Sequence, residues 1–230
     1  MKKILLIALL FAGPGGPASA QNDSGYYINP DTKTAGWVSV FNSDLSNALF
    51  PAGVWTDSAG ILTASRDEAI WSKDAYDDFV LDLDFKNADG TNSGVIVHAT
   101  DMKEWIPHSV EIQIADDYSE EWSKAPATWQ CGAVFGHQAV TKRTVKKPGE
   151  WNHYTITCRG RKIWIVLNGE LVNTCDMRLF TSAKTNPDGS PIPSWLSNPM
   201  AGLPLHGHIG FQGKHAGAPI YFKNIMIKRL

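Results

Sequence analysis

The chain has 230 residues, with 21 Lys and Arg against 23 Asp and Glu, a formal net charge of −2, 43% hydrophobic and 19% charged residues. This slightly acidic balance excludes a nucleic-acid binder, which needs a basic surface to meet the phosphates. The chain is long and apolar enough to bury one core without help from disulfides.

At the start, "MKK" precedes the apolar run "ILLIALLFAG", and Ala18, Ser19 and Ala20 complete the pattern of a secretory signal peptide over residues 1–20. The pattern predicts cleavage after Ala20 and a periplasmic or secreted protein. The run is too short to span a bilayer, no later run reaches the length of a span, and no Cys stands at the cleavage point to carry a lipid. No membrane anchor is expected. Residues 21–35 read as a flexible lead-in, and 36–230 as a single domain.

Within that domain, segments of period two follow one another: "GILTAS" from 60, "AIWSK" from 69, "FVLDLDFK" from 79, "SGVIVHA" from 93 and "SVEIQIA" from 109. After a break come "NHYTITC" from 152, "KIWIVL" from 162, "ELVNTC" from 170, "HIGFQGK" from 208 and "IYFKNIMIKRL" from 220. They alternate or are rich in β-branched and aromatic residues, and Gly- and Asn-rich turns separate them. This predicts an all-β protein, a two-sheet antiparallel β-sandwich or jelly roll. Cys158 and Cys175 end the outer strands of a three-strand meander, too far apart for an easy disulfide, and with Cys131 the count is odd. Two loops, 117–131 and 177–206, exceed what a sandwich needs, and their Trp residues predict ordered walls for a site.

Candidate chemistry concentrates on "HSVEIQIADD", residues 108–117. Val110, Ile112 and Ile114 form one face of a strand, while Glu111 and Gln113 form the other and Asp116 follows. A carboxylate and an amide on one sheet face suit a sugar groove, with loop rings such as Trp105, Trp122, Trp129 and Trp195 as stacking platforms. Trp37, Trp55, Trp71, Trp151 and Trp164 lie in strand patterns and read as core. Asn92, Ser93 and Gly94 open a neighbouring strand, where Gly94 marks a close approach of another group. His98, His137 and His215 stand near these residues and could serve as bases near neutral pH. No cofactor is indicated, although a divalent metal stays open, for example at His206 and His208.

"EIQIAD" keeps the spacing of the laminarinase strand Glu-x-Asp-x-x-Glu but replaces its middle carboxylate with Gln113. A retaining hydrolase needs two carboxyls about 5 to 5.5 Å apart, so this strand is wrong for ordinary retention. A wider set of motifs is more specific. "NSGVIV" from 92, "VEIQIAD" from 110, "CGAVFG" from 131, "PGEWN" from 148, "LNG" from 167 and "GHIGFQGKHAGAPIYFKNIMIKRL" from 207 closely resemble the 3-keto-disaccharide hydrolase domain family. With the opening "GWVSVFNSDLS", they cover essentially the whole mature chain in the family's order.

The resemblance implies a concanavalin-like jelly roll, exported by bacteria, that acts on glycosides already oxidised to a ketone at carbon 3. A sugar 3-dehydrogenase would supply that ketone. Its acidified carbon-2 proton lets the glycosidic bond break by elimination, followed by hydration, which needs one base rather than two matched carboxylates. On this expectation Glu111, His98 or His137 is catalytic, and Asn92, Trp105, Gln113, Asp116, Trp129, Lys214 and His215 bind the carbohydrate. The sequence departs from the family pattern at His98, where Arg is common, and at Phe135, where Tyr is common. Two other readings stay open: a non-catalytic carbohydrate-binding module, and a laminarinase-like hydrolase whose second carboxylate comes from Glu104, Asp117, Glu120 or Glu121.

Overall fold

The computed structural model describes residues 25–196 and 199–230. The expected signal peptide and the first residues of the lead-in lie outside this range. The strands, in chain order, are β1 (Trp37–Ser39), β2 (Ala48–Leu49), β3 (Trp55–Ser58), β4 (Ile61–Ala64), β5 (Ile70–Tyr76), β6 (Phe79–Asn87), β7 (Asn92–Ala99) and β8 (Val110–Ala115). They continue with β9 (Trp151–Arg159), β10 (Lys162–Leu167), β11 (Glu170–Asp176), β12 (Gly207–Phe211) and β13 (Ile220–Arg229). An eight-stranded sheet in the order β11-β10-β9-β6-β13-β4-β3, with β1 also on β13, packs against a five-stranded sheet ordered β2-β5-β12-β7-β8. All pairings are antiparallel, and the architecture is the all-β jelly-roll sandwich. Among the described residues no helix is long and apolar enough to cross a membrane.

Alternation decides which side chains enter the core. Phe79, Leu81, Leu83 and Phe85 of β6 and Tyr154 and Ile156 of β9 face Val110, Ile112 and Ile114 of β8 and Val95 and Val97 of β7 across the interior. Ring contacts such as Phe85 on Tyr154 at 4.7 Å and Phe211 on Phe222 at 5.0 Å fill the space between. Two polar bonds also cross it. The Tyr154 hydroxyl donates to the Gln113 carbonyl (2.8 Å), and the Asn87 amide donates to the Ala115 carbonyl (2.8 Å).

The outer edge of β8 is covered by the loop that follows it. Gln113 N–H donates to Ala133 O, Gly132 N–H to Gln113 O, and Phe135 N–H to Glu111 O, all within 3.0 Å. Residues 132–135 thus serve as a sixth strand, which is why β8 reads as central although it ends its sheet, and the edge is closed to other chains. The second long loop, 177–206, winds through short 3-10 turns and buries Met177, Phe180, Leu196 and Met200.

Several tryptophans differ from their expected places. Only Trp55 joins the main core. Trp37, Trp151 and Trp164 are half-buried on the outer face of the eight-stranded sheet, where Tyr26 of the lead-in stacks on Trp164 at 6.2 Å. The lead-in from Gly25 is therefore a strap laid over that sheet. Trp71 turns away from the core, and Trp122, expected as a platform, is buried.

On the same outer face, His153 sits between Asp82 (3.1 Å) and Asp84 (2.8 Å). Burial by itself would lower its pKa, but its bonds to the two carboxylates outweigh that and hold it at about 9.

Cys158 and Cys175 both pair with Ile163, from opposite sides of β10. They stand two strand spacings apart, and all three cysteines are free and buried. A thiol-reactive reagent should therefore label none of the three in the native protein and all three after denaturation, and a reductant should leave the melting temperature unchanged. Thiol titration with and without denaturant checks this.

Candidate functional site

The outer face of the five-stranded sheet carries the candidate site, and strand register lays it out as rows. One row runs from Trp71 on β5 through Gly210 on β12 and Ile96 on β7 to Glu111 on β8. The main-chain bond from Phe135 to Glu111 extends that row onto the covering loop. The next row runs from Gln212, whose N–H donates to Gly94 O, through Gly94 to Gln113. Asn92 follows at the start of β7, bridged to His215 in the turn after β12.

Glycines open this face. A methyl group at Gly94 would lie 2.2 Å from the Glu111 carboxyl oxygen Oε1, so the glutamate leans across β7 through space that only glycine leaves. A methyl at Gly210 would lie 2.4 Å from the Trp71 ring, which lies over β12 for the same reason.

Glu111 is half-buried and has no hydrogen-bond donor or cation on its carboxyl among the described residues. Burial, with a smaller contribution from the Asp67 charge, pushes its pKa up to about 8. The side chain is therefore mostly protonated near neutral pH, and once ionised it is a far stronger base than an exposed glutamate. Around it are amides. Gln113 is fully buried and donates from Nε2 to Asn92 Oδ1 at 3.0 Å, while its Oε1 and the Oε1 of Gln212 are buried without partners among the described residues. Beyond them His215 bonds to Asp67 at 2.6 Å, with both groups about half exposed. Lys214, next in sequence to His215, is half-buried in the same turn.

Toward the other end the face is aromatic. Trp71 and Trp105 meet edge to face at 6.3 Å. Phe135 lies against Trp129 (5.3 Å) and Trp195 (5.9 Å), and Trp105 and Trp195 share the walls of one surface pocket. Glu111 stands at the border between an aromatic half and an amide-rich half.

Of the candidates from sequence, the structure gathers Glu111, Gln113, Asn92, His215, Trp105 and Trp129 around this face. It does not bring His98, His137 or Asp116 to Glu111. His98 has a left-handed φ of 56°, which turns its ring inward beside Phe79, where Nδ1 meets Leu205 O at 2.6 Å. His137 is buried in the loop wall with Nδ1 on Asn186 Oδ1 (3.1 Å) and its ring against Phe180, and burial lowers the pKa of both histidines. Asp116 staples its own turn, accepting from the backbone N–H groups of Gly90 (2.9 Å) and Tyr118 (3.1 Å). Asp116 also shares the parity of Ile112 and Ile114, a signal available in the sequence that argued against it. Sequence reading missed Gln212, Asp67, Phe135 and Trp71, because only strand register and loop pairing bring them here.

Among the described residues no group of three His, Cys, Asp or Glu side chains is placed to hold a metal ion. The face offers amides and one isolated carboxyl, so a divalent metal finds no preformed protein donor set, and His206 bonds instead to Asp77 at 3.0 Å.

The model of the 3-keto-alpha-glucoside-1,2-lyase-like domain matches residues 31–228. The chain belongs to this family. Membership places it among carbohydrate-active proteins. A candidate glycosyl hydrolase from Parabacteroides distasonis, of known crystal structure, is 52% identical, with a TM-score of 0.82 over 84% of this chain and 99% of that one. Two further candidate glycosyl hydrolases from the same organism, 22% and 20% identical, superpose with TM-scores of 0.69 and 0.64 and share the fold. They cover 99% and 94% of their own chains and 89% and 96% of this one. No curated protein matches the sequence.

The raised pKa of Glu111 has a consequence for stability. The folded state holds a proton that the unfolded chain, with an ordinary carboxyl near 4.5, gives up, so stability falls as pH rises from about 4.5 through 8. Glu111→Gln keeps the shape without the charge. Relative to wild type, it should be neutral near pH 4 and stabilising by at least about 1 kcal/mol at pH 8 and above. Denaturant melts at the two pH values measure the difference.

Proposed function

We propose that the protein cleaves the glycosidic bond of 3-keto-glycosides by elimination and hydration, with Glu111 moving the proton at carbon 2. The observation that carries this reading is the isolated Glu111 carboxyl on the amide-rich face, with its raised pKa. In the first step its ionised form takes the carbon-2 proton, and the electrons of that bond form an enolate on the carbon-3 oxygen. The enolate then expels the oxygen at carbon 1, which leaves as an alcohol once protonated, and a carbon 1–carbon 2 double bond remains. Addition of water across that bond restores the proton at carbon 2 and gives the free keto sugar.

The surrounding groups have fitting roles. Amides of Asn92 and Gln212 suit the hydroxyls and the ketone, because they hold partial charge without competing for the proton, and the buried Gln113 orients Asn92 from below. His215, oriented by Asp67 at the far end of the amide side, suits a hydroxyl or the ketone of the sugar, and the proton gained by Glu111 is the one nearest the leaving oxygen. Lys214 lies beside it and suits the developing negative charge. Because the substrate must already carry a ketone, a sugar 3-dehydrogenase has to act before this protein.

A conventional retaining hydrolase fits less well. Of the loop carboxylates expected to assist it, Asp117 accepts from Cys131 N–H (3.0 Å), Glu120 pairs with Lys124 (2.6 Å), and Glu104 and Glu121 are exposed. Asp67 is the one carboxylate whose charge acts on Glu111, and it is engaged with His215.

Purified protein should turn over 3-keto-glucosides and leave the unoxidised parents intact, with or without chelator. The rate should rise with pH and level off above about 8, as the Glu111 base becomes populated. Glu111→Gln should lower turnover by about 100-fold or more. Full turnover by this variant would remove Glu111 from its role, and cleavage of the parents would revive the hydrolase. Saturable binding with no turnover would indicate a binding module.

A further inference from the structure

The aromatic half of the face is not needed to explain proton transfer at carbon 2. It contains a cleft of about 580 Å³ walled by Phe50, Trp71, Met102 and Trp105. Behind Trp71 a small apolar cluster, separate from the main core, backs the cleft: the buried Ile96 and Ala99 pack with Trp71, and Met102 and Trp105 pack against them. Charged groups lie only at Glu68 and Lys103. Along the strand register Trp71 shares a row with Glu111, two intervening strands away, or on the order of 14 Å between backbones. The Trp71 ring reaches back across Gly210 toward Ile96, which directly neighbours Glu111. Trp71 therefore stands between the cleft and the Ile96–Glu111 pair, on the side of Glu111 opposite the amides.

We infer that this cleft takes the leaving group, and that the substrates are 3-keto-glycosides of flat, apolar aglycones such as aryl or arylalkyl alcohols rather than disaccharides. The inference rests on the proposed reaction for the identity of the bond that breaks. Its own support is the division of the face. A keto sugar needs partners for its hydroxyls and ketone, and the amides of Asn92 and Gln212 with the His215–Asp67 pair provide them on one side only. A second hexose on the other side would bring several hydroxyls against Leu49, Phe50, Pro51 and Met102, whose side chains offer no hydrogen bonds, and each unpaired hydroxyl is costly. An aromatic ring meets no such penalty, and the edge-to-face Trp71 and Trp105 rings match its faces and edges.

The test compares methyl and 2-phenylethyl 3-keto-glucosides, in both anomers, with a 3-keto-disaccharide. The two simple glycosides release alkoxides of similar basicity, so differences report binding rather than leaving-group chemistry. Wild type should prefer the 2-phenylethyl compound by about tenfold or more in kcat/KM, mainly through KM. That preference should collapse toward unity in Trp105→Ala and, independently, in Phe50→Ala. A disaccharide preferred over both, or a preference that survives both substitutions, overturns the inference while the proposed reaction stands. If no keto-glycoside is turned over, the reaction fails instead, and calorimetric titration with 2-phenylethyl glucoside decides the cleft. Saturable binding weakened about tenfold by either substitution supports the cleft, and no binding overturns it.

Discussion

The register between β7 and β8 is the constraint on which the site depends. Gly94 pairs with Gln113 and Ile96 with Glu111, so the glutamate finds glycine where its carboxyl leans. A slip of one residue would send Glu111 into the core, bring Ile112 out and replace the glycine gap with a side chain. Register is pinned from both flanks. The loop ladder at residues 132–135 fixes the outer edge of β8, and the Tyr154 hydroxyl from the opposite sheet holds the Gln113 carbonyl. The position of the central carboxyl is thus inherited from main-chain bonds rather than from partners of its own.

That lack of partners is informative because the chain has cations to spare. On the outer face of the eight-stranded sheet, Lys86 and Lys223 both lie over Trp151, at 5.0 and 4.1 Å, and His153 is shared by two aspartates. Carboxylates there are neutralised, as structural ones usually are. On the five-stranded sheet Asp67 has His215, while Glu111 has none. A half-buried carboxyl left alone costs stability at alkaline pH, and the fold accepts that cost at one place, between the amides and the aromatic cleft. Strain of this kind concentrated on one face separates a site from a merely polar surface.

Much of the fold was legible because strands announce themselves by period two, and β6, β8, β9 and β10 all lie where their alternation predicts. The same parity identified Glu111 and Gln113 as neighbours on one face. It carried less well wherever the chain leaves regular pairing. The segment "CGAVFG" does not alternate, so its pairing along β8 and the place of Phe135 opposite Glu111 were hidden. Trp71 looks like any strand tryptophan until the order β5-β12-β7 shows that its face is the outer one. Gln212 and Asp67 come from distant parts of the chain, and nothing local marks them. The 3.0 Å bond between Gln113 and Asn92 likewise depends on sheet order, although both residues were candidates.

The clearest failure of alternation also explains how the face came to have two halves. Counting from Asn92 through Gly94 and Ile96, period two assigns His98 to the outer face beside Glu111. The chain instead takes a left-handed turn at His98, and the register with β12 changes there: His208 pairs with Ala99 while Gly210 pairs with Ile96, so β7 carries one extra residue. Such a bulge inverts the parity of everything beyond it. His98 goes inward to Phe79 and Leu205, and Ala99 takes its place on the outer face against Trp71 and Ile96. Without the bulge a polar imidazole would stand in the apolar cluster that backs Trp71. One inserted residue therefore moves a titratable group out of the site and makes the side of Glu111 away from the amides suited to an apolar ring.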